Sequence, residues 1–213
     1  MTQYNLAIFD FDGTLANSLI WFRKIVNELA DAYGFKRIED DEVDLLRSYD
    51  ALQIMKHLGL AAWKLPSIAA HTRKLMSAQI HEVPLYDGVE TMLTSLAEQG
   101  VTLAVVSSNT EENVRRVLGA ELVALVETFE CGVSLFGKAS KLRKVLRHTG
   151  ISALDTIYIG DEIRDVRAAR DVGVAAGAVA WGYNSAAALE AVAATSLFED
   201  VAAITSAVAG LVY

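Results

Sequence analysis

The sequence predicts a doubly wound α/β fold built on a parallel sheet. Two observations lead to this fold: short apolar segments alternate with helical patterns, and the first three apolar segments end at polar residues. The segments that we interpret as buried strands are 5–9, Val101–Val106, Thr156–Ile159 and Val174–Ala180. Right-handed crossovers bring the carboxyl ends of such strands to one edge, so the residues after positions 9, 106 and 159 are expected to share a crevice.

Two carboxylates, Asp10 and Asp12, follow the first strand and precede a Gly13-Thr14 turn. Because side chains of an extended chain alternate between two sides, both carboxylates are expected on the same side. An acidic turn is the alternative, since Asp and Gly are ordinary turn formers. That alternative leaves both charges unexplained, so the pattern favours a site.

Residues 16–84 interrupt the alternation with helical patterns and no convincing strand. Asn17 or Ser18 is a candidate N-cap for the first helix, and later helices are expected near Val43–Leu58 and near Ser67–Ile80, with Pro66 in a first turn. We therefore predict a small all-helical cap domain over residues 16–84, with the α/β core formed by residues 1–15 and 85–213. Such an insert can cover the crevice or serve only as a packing module.

The helices that connect the later strands are also visible in the sequence. Apolar residues recur at helical spacing in three stretches, two of which end at a glycine. These residues are Val89, Met92, Leu93 and Leu96 before Gly100, then Val114, Val117 and Leu118, then Leu142, Val145 and Leu146 before Gly150.

Polar residues after the second strand form a candidate phosphate-binding segment. Ser107, Ser108 and Asn109 lead into a helix near Thr110, and unpaired N–H groups at a helix start favour anions. Ser and Asn are also common helix caps, so this segment is uninformative alone. Further along, Lys138 lies at a predicted helix start, where a cation opposes the macrodipole, which suggests an anionic partner.

A fourth segment, Gly160-Asp161-Glu162-Ile163-Arg164-Asp165, adds more carboxylates at the end of the third strand. Asp161 and Asp165 are at helical spacing and can point the same way. Beside Asp10 they would repel strongly unless a cation lay among them, and hard oxygen ligands select magnesium. The alternative is an N-capped helix with an acidic first turn.

Composition limits the classes of partner. The formal charge of -8 and the pI near 5.0 argue against nucleic acid or an anionic membrane surface as the main partner. The single cysteine, Cys131, excludes an intramolecular disulfide and favours a reducing compartment, so we expect a cytoplasmic protein. The uncharged stretch 172–189 is broken by glycines and polar residues, which argues against a membrane span.

Taken together, the four segments resemble the four motifs of the haloacid dehalogenase superfamily: Asp10-Phe11-Asp12-Gly13-Thr14, Ser107, Lys138, and Gly160-Asp161 with Asp165. Within that superfamily the chain is similar to phosphoglycolate phosphatase-like hydrolases with a helical cap, and residues 84–89 match the re-entry from cap to core. The resemblance implies a Rossmann-type core and a magnesium-dependent phosphatase that acts on a small phosphorylated metabolite, phosphoglycolate being one candidate. It leaves open a monomer or a homodimer.

The resemblance also implies roles for particular residues. Asp10 would attack phosphorus to give an aspartyl-phosphate, and Asp12 would protonate the leaving oxygen and then activate water. The phosphoryl oxygens would be held by Ser107 and Lys138, with Ser108 and Asn109 in the same segment as Ser107. The implied magnesium ligands are Asp10, the Asp12 backbone carbonyl, Asp161 and Asp165.

The sequence allows alternatives for some residues and for the function. The chain has Lys138-Ala139-Ser140-Lys141 where many relatives carry Lys-Pro-x-Pro, so either lysine is a candidate for the phosphate. Glu162 is an alternative to Asp165 as a ligand, or a residue that holds a metal-bound water. Other functions compatible with the fold are a phosphosugar mutase, a phosphonate hydrolase, a dehalogenase and a non-catalytic binding protein. Candidates for contact with a second anionic group of a substrate, or else for surface charge, are Arg47, His57, Lys64, His71 and Arg73.

Overall fold

A six-stranded parallel sheet forms the centre of the protein, as seen in a computed structural model that describes residues 4–132 and 137–210. The strands are β1 (Leu6–Phe9), β2 (Thr102–Val106), β3 (Val126–Glu130), β4 (Thr156–Gly160), β5 (Ala175–Val179) and β6 (Ser196–Phe198). Their order in the sheet is β3-β2-β1-β4-β5-β6. The order reverses beside β1, which confirms the predicted doubly wound parallel fold.

The four predicted strands are present, and two further strands, β3 and β6, were not predicted. Both lie at the edges of the sheet. β3 has the sequence Val-Glu-Thr-Phe-Glu, which mixes charged and apolar residues, and β6 has only three residues. Because an edge strand pairs on one side only and commonly carries charge, it lacks the continuous apolar run used to recognise the buried strands.

The regular structure between β1 and residue 82 is helical, and none of these residues lies in a strand. The helices are α1 (Ser18–Tyr33), α2 (Val43–Arg47), α3 (Ala51–His57) and α4 (Leu65–Ala78), with 3₁₀ turns at Asp40–Glu42, Ala62–Lys64 and Ile80–Glu82. We refer to residues 18–82 as the helical segment. Its description as a separate cap domain stays a prediction.

The helical stretch predicted near Val43–Leu58 is present, and it is divided into α2 and α3 with a break between them. The carboxylate of Asp50 accepts hydrogen bonds from the backbone N–H groups of Leu52 (3.1 Å) and Gln53 (3.0 Å) and begins a new helix. Asn17 is at the N-cap position of α1 but makes no side-chain capping bond. Pro66 lies in the first turn of α4, as predicted.

Six further helices cover the two faces of the sheet. They are α5 (Val89–Glu98), α6 (Glu111–Leu125), α7 (Lys138–Thr149), α8 (Ile163–Val172), α9 (Ala186–Ala191) and α10 (Val201–Ala209). Alternate residues of β1 point to opposite faces: Phe9 packs in the apolar cluster with α5, α6 and α10, whereas Ile8 packs with α7, α8 and α9. Both faces of the sheet are therefore buried, as a parallel sheet requires.

The helical segment contacts the core at two places. At its ends, the N–H of Asn17 donates to Pro84 O (2.8 Å) and the N–H of Tyr86 donates to Leu15 O (2.9 Å), so the chain leaves and returns side by side. In its middle, the Asn184 side chain donates to the backbone oxygens of Arg47 and Tyr49, both at 2.9 Å. The loop that follows β5 therefore holds the junction of α2 and α3.

Replacing Asn184 with alanine tests the second contact. The buried Asn184 amide also accepts a hydrogen bond from the N–H of Ile163 at 2.9 Å, so Asn184→Ala removes three bonds and leaves buried groups unpaired. We expect the free energy of unfolding to fall by about 2–3 kcal/mol and Tm to fall by roughly 5–10 °C. The measurement is thermal unfolding followed by circular dichroism. A Tm unchanged from that of the parent protein would contradict this account of the contact.

Candidate active site

Asp10 lies at the carboxyl end of the central strand β1 and is almost completely buried, with 2% of its surface exposed. Its N–H continues the sheet ladder by donating to Ile159 O at 2.8 Å. The ammonium group of Lys138 lies 2.5 Å from Asp10 Oδ2. Burial raises the pKa of Asp10 to about 7, although the positive charge of Lys138 opposes the rise. The strand therefore presents a carboxylate with one oxygen held by a buried cation.

A tight turn follows Asp10 and requires glycine at position 13. The carbonyl of Phe11 accepts hydrogen bonds from the backbone of residues 14, 15 and 16, and Gly13 adopts a φ of +77°. A Cβ atom at Gly13 would lie 2.2 Å from the carboxylate oxygen Oδ2 of Asp161. Only glycine combines this backbone conformation with such a close approach. The turn thus brings the segment after β1 against the segment after β4.

The carboxylate of Asp12 is held by an asparagine from the segment after β2. Asn109 Nδ2 lies 3.0 Å from one Asp12 oxygen and 3.3 Å from the other. Asn109 Oδ1 accepts hydrogen bonds from Thr110 N and from Asn113 Nδ2, both at 2.9 Å, and these bonds orient its amide. Burial raises the pKa of Asp12, and hydrogen bonds from Ser18 and Asn109 oppose that rise. This contact was not predicted from the sequence, and substrate binding by Asn109 stays a prediction.

The two serines after β2 are placed differently. Ser107 is fully buried, and its Oγ accepts a hydrogen bond from Asn109 N at 3.0 Å. Ser108 is half-buried, and its carbonyl accepts a hydrogen bond from the guanidinium of Arg73 at 3.5 Å. Arg73 belongs to α4, so the helical segment reaches the start of this loop.

Lys138, the first residue of α7, is only 3% exposed and contacts two carboxylates, Asp10 and Asp165. Burial lowers the pKa of Lys138, but the two carboxylates outweigh burial and keep that pKa raised. Lys141 instead lies 2.8 Å from Glu130, whose second oxygen contacts Lys144 at 2.5 Å. Of the two candidate phosphate lysines, the geometry favours Lys138.

Three carboxylates form a cluster: oxygens of Asp10, Glu162 and Asp165 lie within 4.8 Å of one another. Asp165 is fixed there by the hydroxyl of Tyr158 at 3.0 Å and by the N–H of Glu162 at 3.1 Å. Such a set of oxygen donors suits a hard divalent cation, whose charge would offset their mutual repulsion. Glu162, which the sequence left as an alternative ligand, lies in this cluster together with Asp165, and metal coordination by either residue stays a prediction.

Asp161 borders this cluster and makes other contacts. Its carboxylate accepts hydrogen bonds from Thr14 Oγ1 at 2.9 Å and from the N–H of Tyr183 at 2.7 Å. Burial raises the pKa of Asp161 well above its usual range, and the charges of Glu162, Asp10 and Asp165 raise it further. Metal coordination by Asp161 and by the Asp12 carbonyl stays a prediction.

The loop after β5 was missed as part of the site. It carries Trp181, Gly182, Tyr183 and Asn184, and it contacts Asp161 through the backbone of Tyr183 and Asn184. A Cβ atom at Gly182 would lie 2.1 Å from the Cβ of Asp161, so glycine is required at this point of contact. The rule applied to the first three strands, that polar residues after a buried strand indicate a site, also fits this fourth one.

Comparisons with known proteins agree with the fold. The sequence matches the profile of the haloacid dehalogenase-like hydrolase family over residues 7–179, and the chain belongs to this family. It is 31% identical over 205 residues to a phosphoglycolate phosphatase of Synechococcus elongatus, which covers 96% of this chain and 97% of the relative. It is 28% identical to a phosphoglycolate phosphatase of Agrobacterium fabrum, over 95% of this chain and 91% of the relative.

A solved structure, that of a haloacid dehalogenase-like hydrolase from Streptococcus pneumoniae, has the same fold. The TM-score is 0.78 at 19% identity, over 97% of this chain and 99% of that chain. The prediction of a haloacid dehalogenase-type phosphatase is confirmed by the family match and the named relatives. No helix in the described part of the chain has the length and apolar character needed to cross a membrane.

Asn109→Ala is expected to lower kcat on a simple alkyl phosphate by about 10- to 100-fold while changing KM little, because the carboxylate of Asp12 loses its fixed orientation. In the parent protein these bonds hold the pKa of Asp12 down, so their loss should raise that pKa and move the part of the pH–rate profile that Asp12 controls to higher pH. Steady-state kinetics across pH measures both effects. Asn113→Ala is the matched control, since it removes the bonds from Asn113 to Asn109 and to Arg73 O but leaves the Asn109 amide itself available to Asp12, and it should cause a smaller loss. A kcat equal to that of the parent protein would refute the positioning role.

Asp161→Asn is expected to stabilise the metal-free protein at pH 7. Folding raises the pKa of Asp161. The contribution of this carboxyl to the free energy of unfolding therefore decreases as pH rises from its unfolded pKa, near 4, to its folded pKa. Asparagine removes the buried charge and keeps polar partners for Thr14 and Tyr183. We expect Tm in chelator to rise by about 2–4 °C for each 1 kcal/mol gained. A lower Tm for the variant would show that repulsion at Asp161 is not the dominant effect.

Proposed function

We propose that the protein is a magnesium-dependent phosphatase that hydrolyses a small phosphate monoester of the phosphoglycolate type through an aspartyl-phosphate at Asp10. The observation that carries this proposal is the buried Asp10 carboxylate, whose Oδ2 contacts the Lys138 ammonium at the carboxyl edge of the sheet. The named activity of the relatives in Synechococcus and Agrobacterium supports the substrate class.

In the first step, an Asp10 carboxylate oxygen forms a bond to phosphorus and the bond from phosphorus to the ester oxygen breaks. Asp12, in its protonated form, donates its proton to the departing oxygen. Burial favours this form because it raises the pKa of Asp12. The products of the step are a free alcohol and an aspartyl-phosphate.

In the second step, Asp12 acts as a base. It takes a proton from a water molecule, whose oxygen attacks phosphorus and releases the Asp10 carboxylate and inorganic phosphate. The amide of Asn109 holds both oxygens of Asp12, so the same carboxylate keeps its place through both steps. Two carboxylates are needed because Asp10 is esterified while Asp12 transfers protons.

The phosphoryl oxygens require cationic and N–H partners. Lys138 supplies the buried ammonium group, and Ser107 supplies a hydroxyl at the end of the neighbouring strand β2. The backbone of Ser108 and Asn109 leads toward the N-terminus of α6, where N–H groups favour anions. These groups stabilise the negative charge that is carried by the phosphoryl group.

The candidate cation ligands are Asp10, Glu162 and Asp165, with Asp161 and the Asp12 carbonyl as predicted additions. A bound magnesium ion supplies positive charge that screens the repulsion between an anionic phosphate and the attacking carboxylate. The cluster already contains the hard oxygen donors that this ion prefers.

The test compares Asp10→Asn with Asp12→Asn on two substrates, an aryl phosphate with a good leaving group and an alkyl phosphate with a poor one. Asp10→Asn removes the nucleophile and should reduce both rates by at least about 10³-fold. Asp12→Asn should reduce formation of the aspartyl-phosphate far more for the alkyl ester, because only that leaving group needs a proton. Single-turnover kinetics with magnesium measures this step, and chelator serves as the metal control.

Two results would overturn the proposal. Activity of Asp10→Asn within a few-fold of the parent protein would exclude Asp10 as the nucleophile, and full turnover in chelator would exclude the metal. A product in which phosphate has moved to another hydroxyl of the substrate would indicate the mutase alternative.

A further inference from the structure

A cavity of about 180 Å³ lies between the helical segment and the core. Its apolar wall comes largely from the helical segment and includes Phe22, Val26 and Leu46. Its polar wall on the core side includes Glu162, Arg164 and Tyr183. The space is much larger than the volume occupied by one water molecule in the liquid, about 30 Å³, so it can accept a small organic group.

This cavity adjoins the candidate active site. Glu162 lines the cavity and also belongs to the carboxylate cluster with Asp10 and Asp165. Tyr183 lines the cavity, while its backbone N–H contacts Asp161 at 2.7 Å. A molecule whose phosphate lies near Asp10 can therefore extend its other end into this space.

The cavity carries an excess of positive charge: three arginines and two carboxylates line it. Arg23 is neutralised by Asp40 at 2.6 Å. Arg47 has no carboxylate within 4.0 Å among the described residues, and its guanidinium instead donates to the carbonyls of Gly182 (3.0 Å) and Tyr183 (3.3 Å). These bonds to neutral groups fix the guanidinium plane without cancelling its charge.

Arg164 provides a second guanidinium in the lining of the same cavity. Its Nε contacts Glu162, and its side chain is only 22% exposed. In the described part of the chain, this is the only hydrogen bond recorded for its guanidinium, so its terminal N–H groups are available to a ligand. A planar guanidinium with free N–H groups matches the geometry of a carboxylate.

We propose that Arg47 and Arg164 form a second anion subsite, which binds a carboxylate at the end of the substrate remote from the phosphate. This inference rests on the proposed phosphatase function and names the residues that would contact the carboxylate of a phosphoglycolate-type ester. Arg47 comes from the helical segment and Arg164 from α8, so the subsite requires both parts of the protein.

Two esters that differ only at the remote end provide the test. Phosphoglycolate carries a carboxylate where ethyl phosphate has a methyl group. The measured quantity is the selectivity, defined as the ratio of kcat/KM for phosphoglycolate to kcat/KM for ethyl phosphate, in the presence of magnesium. Arg47→Gln and Arg164→Gln are each expected to reduce this ratio by about 10- to 100-fold, mainly through a higher KM for phosphoglycolate.

Arg23→Gln is the matched control, because Arg23 lines the same cavity but its terminal nitrogen Nη2 is already paired with Asp40, whereas Arg164 contacts Glu162 through Nε. Its selectivity should stay within about twofold of the parent value. Arg47→Lys is a further variant, since it keeps the charge without the paired N–H geometry, and it should retain part of the selectivity. Thermal unfolding of each variant establishes whether the fold is intact. Because Arg47 and Arg164 lie on separate elements, the two variants test the subsite independently.

The possible failures are distinguishable. Equal efficiency of the parent protein on both esters would overturn the subsite and leave the phosphatase function intact. Unchanged selectivity in a folded Arg47→Gln or Arg164→Gln variant would remove that residue from the subsite. Hydrolysis of neither ester, with magnesium present, would contradict the proposed function and the subsite together.

Discussion

The structure of the site depends on one buried cation, the ammonium of Lys138, between Asp10 and Asp165. Four acidic side chains, Asp10, Asp161, Glu162 and Asp165, raise one another's energy in a poorly solvated space. Lys138 lies at the start of α7, where the helix dipole disfavours a positive charge. The two carboxylate contacts offset that cost, and they join the segment after β3 to the segments after β1 and β4.

The sheet topology explains why side chains so distant in sequence meet. β1 lies between β2 and β4, with Phe9 in register with both Val105 and Ile159. The three strands therefore end at the same level, and each continues directly into polar residues. Burial at this edge of the sheet raises the pKa of Asp10, Asp12 and Asp161.

The sequence alone was sufficient for the fold class, because both faces of a parallel sheet must be apolar and that requirement leaves continuous apolar runs. It was also sufficient to predict that Asp10 and Lys138 belong to the same site. It was insufficient for β3 and β6, since edge strands need no such run. The contact between Asn109 and Asp12 was also out of reach, because a hydrogen bond across 97 residues depends on the final packing.

The different contacts of Asp161 and Glu162 are another feature that the sequence alone does not predict. The two residues are adjacent in sequence and chemically alike, but the backbone directs them to different partners. Asp161 contacts Thr14 and the N–H of Tyr183, whereas Glu162 turns toward Asp10 and Asp165. Spacing predicts which residues lie near a site, and local backbone geometry decides which atoms face one another.

The short loop 182–185 contacts both the candidate active site and the helical segment. On one side it holds the Asp161 carboxylate, and on the other it accepts the guanidinium of Arg47 and binds the backbone of the helical segment. Any displacement of that segment from the core breaks these outer bonds and frees the loop on that side. The orientation of the Asp161 carboxylate is thereby connected, through this loop, to the contact between the helical segment and the core.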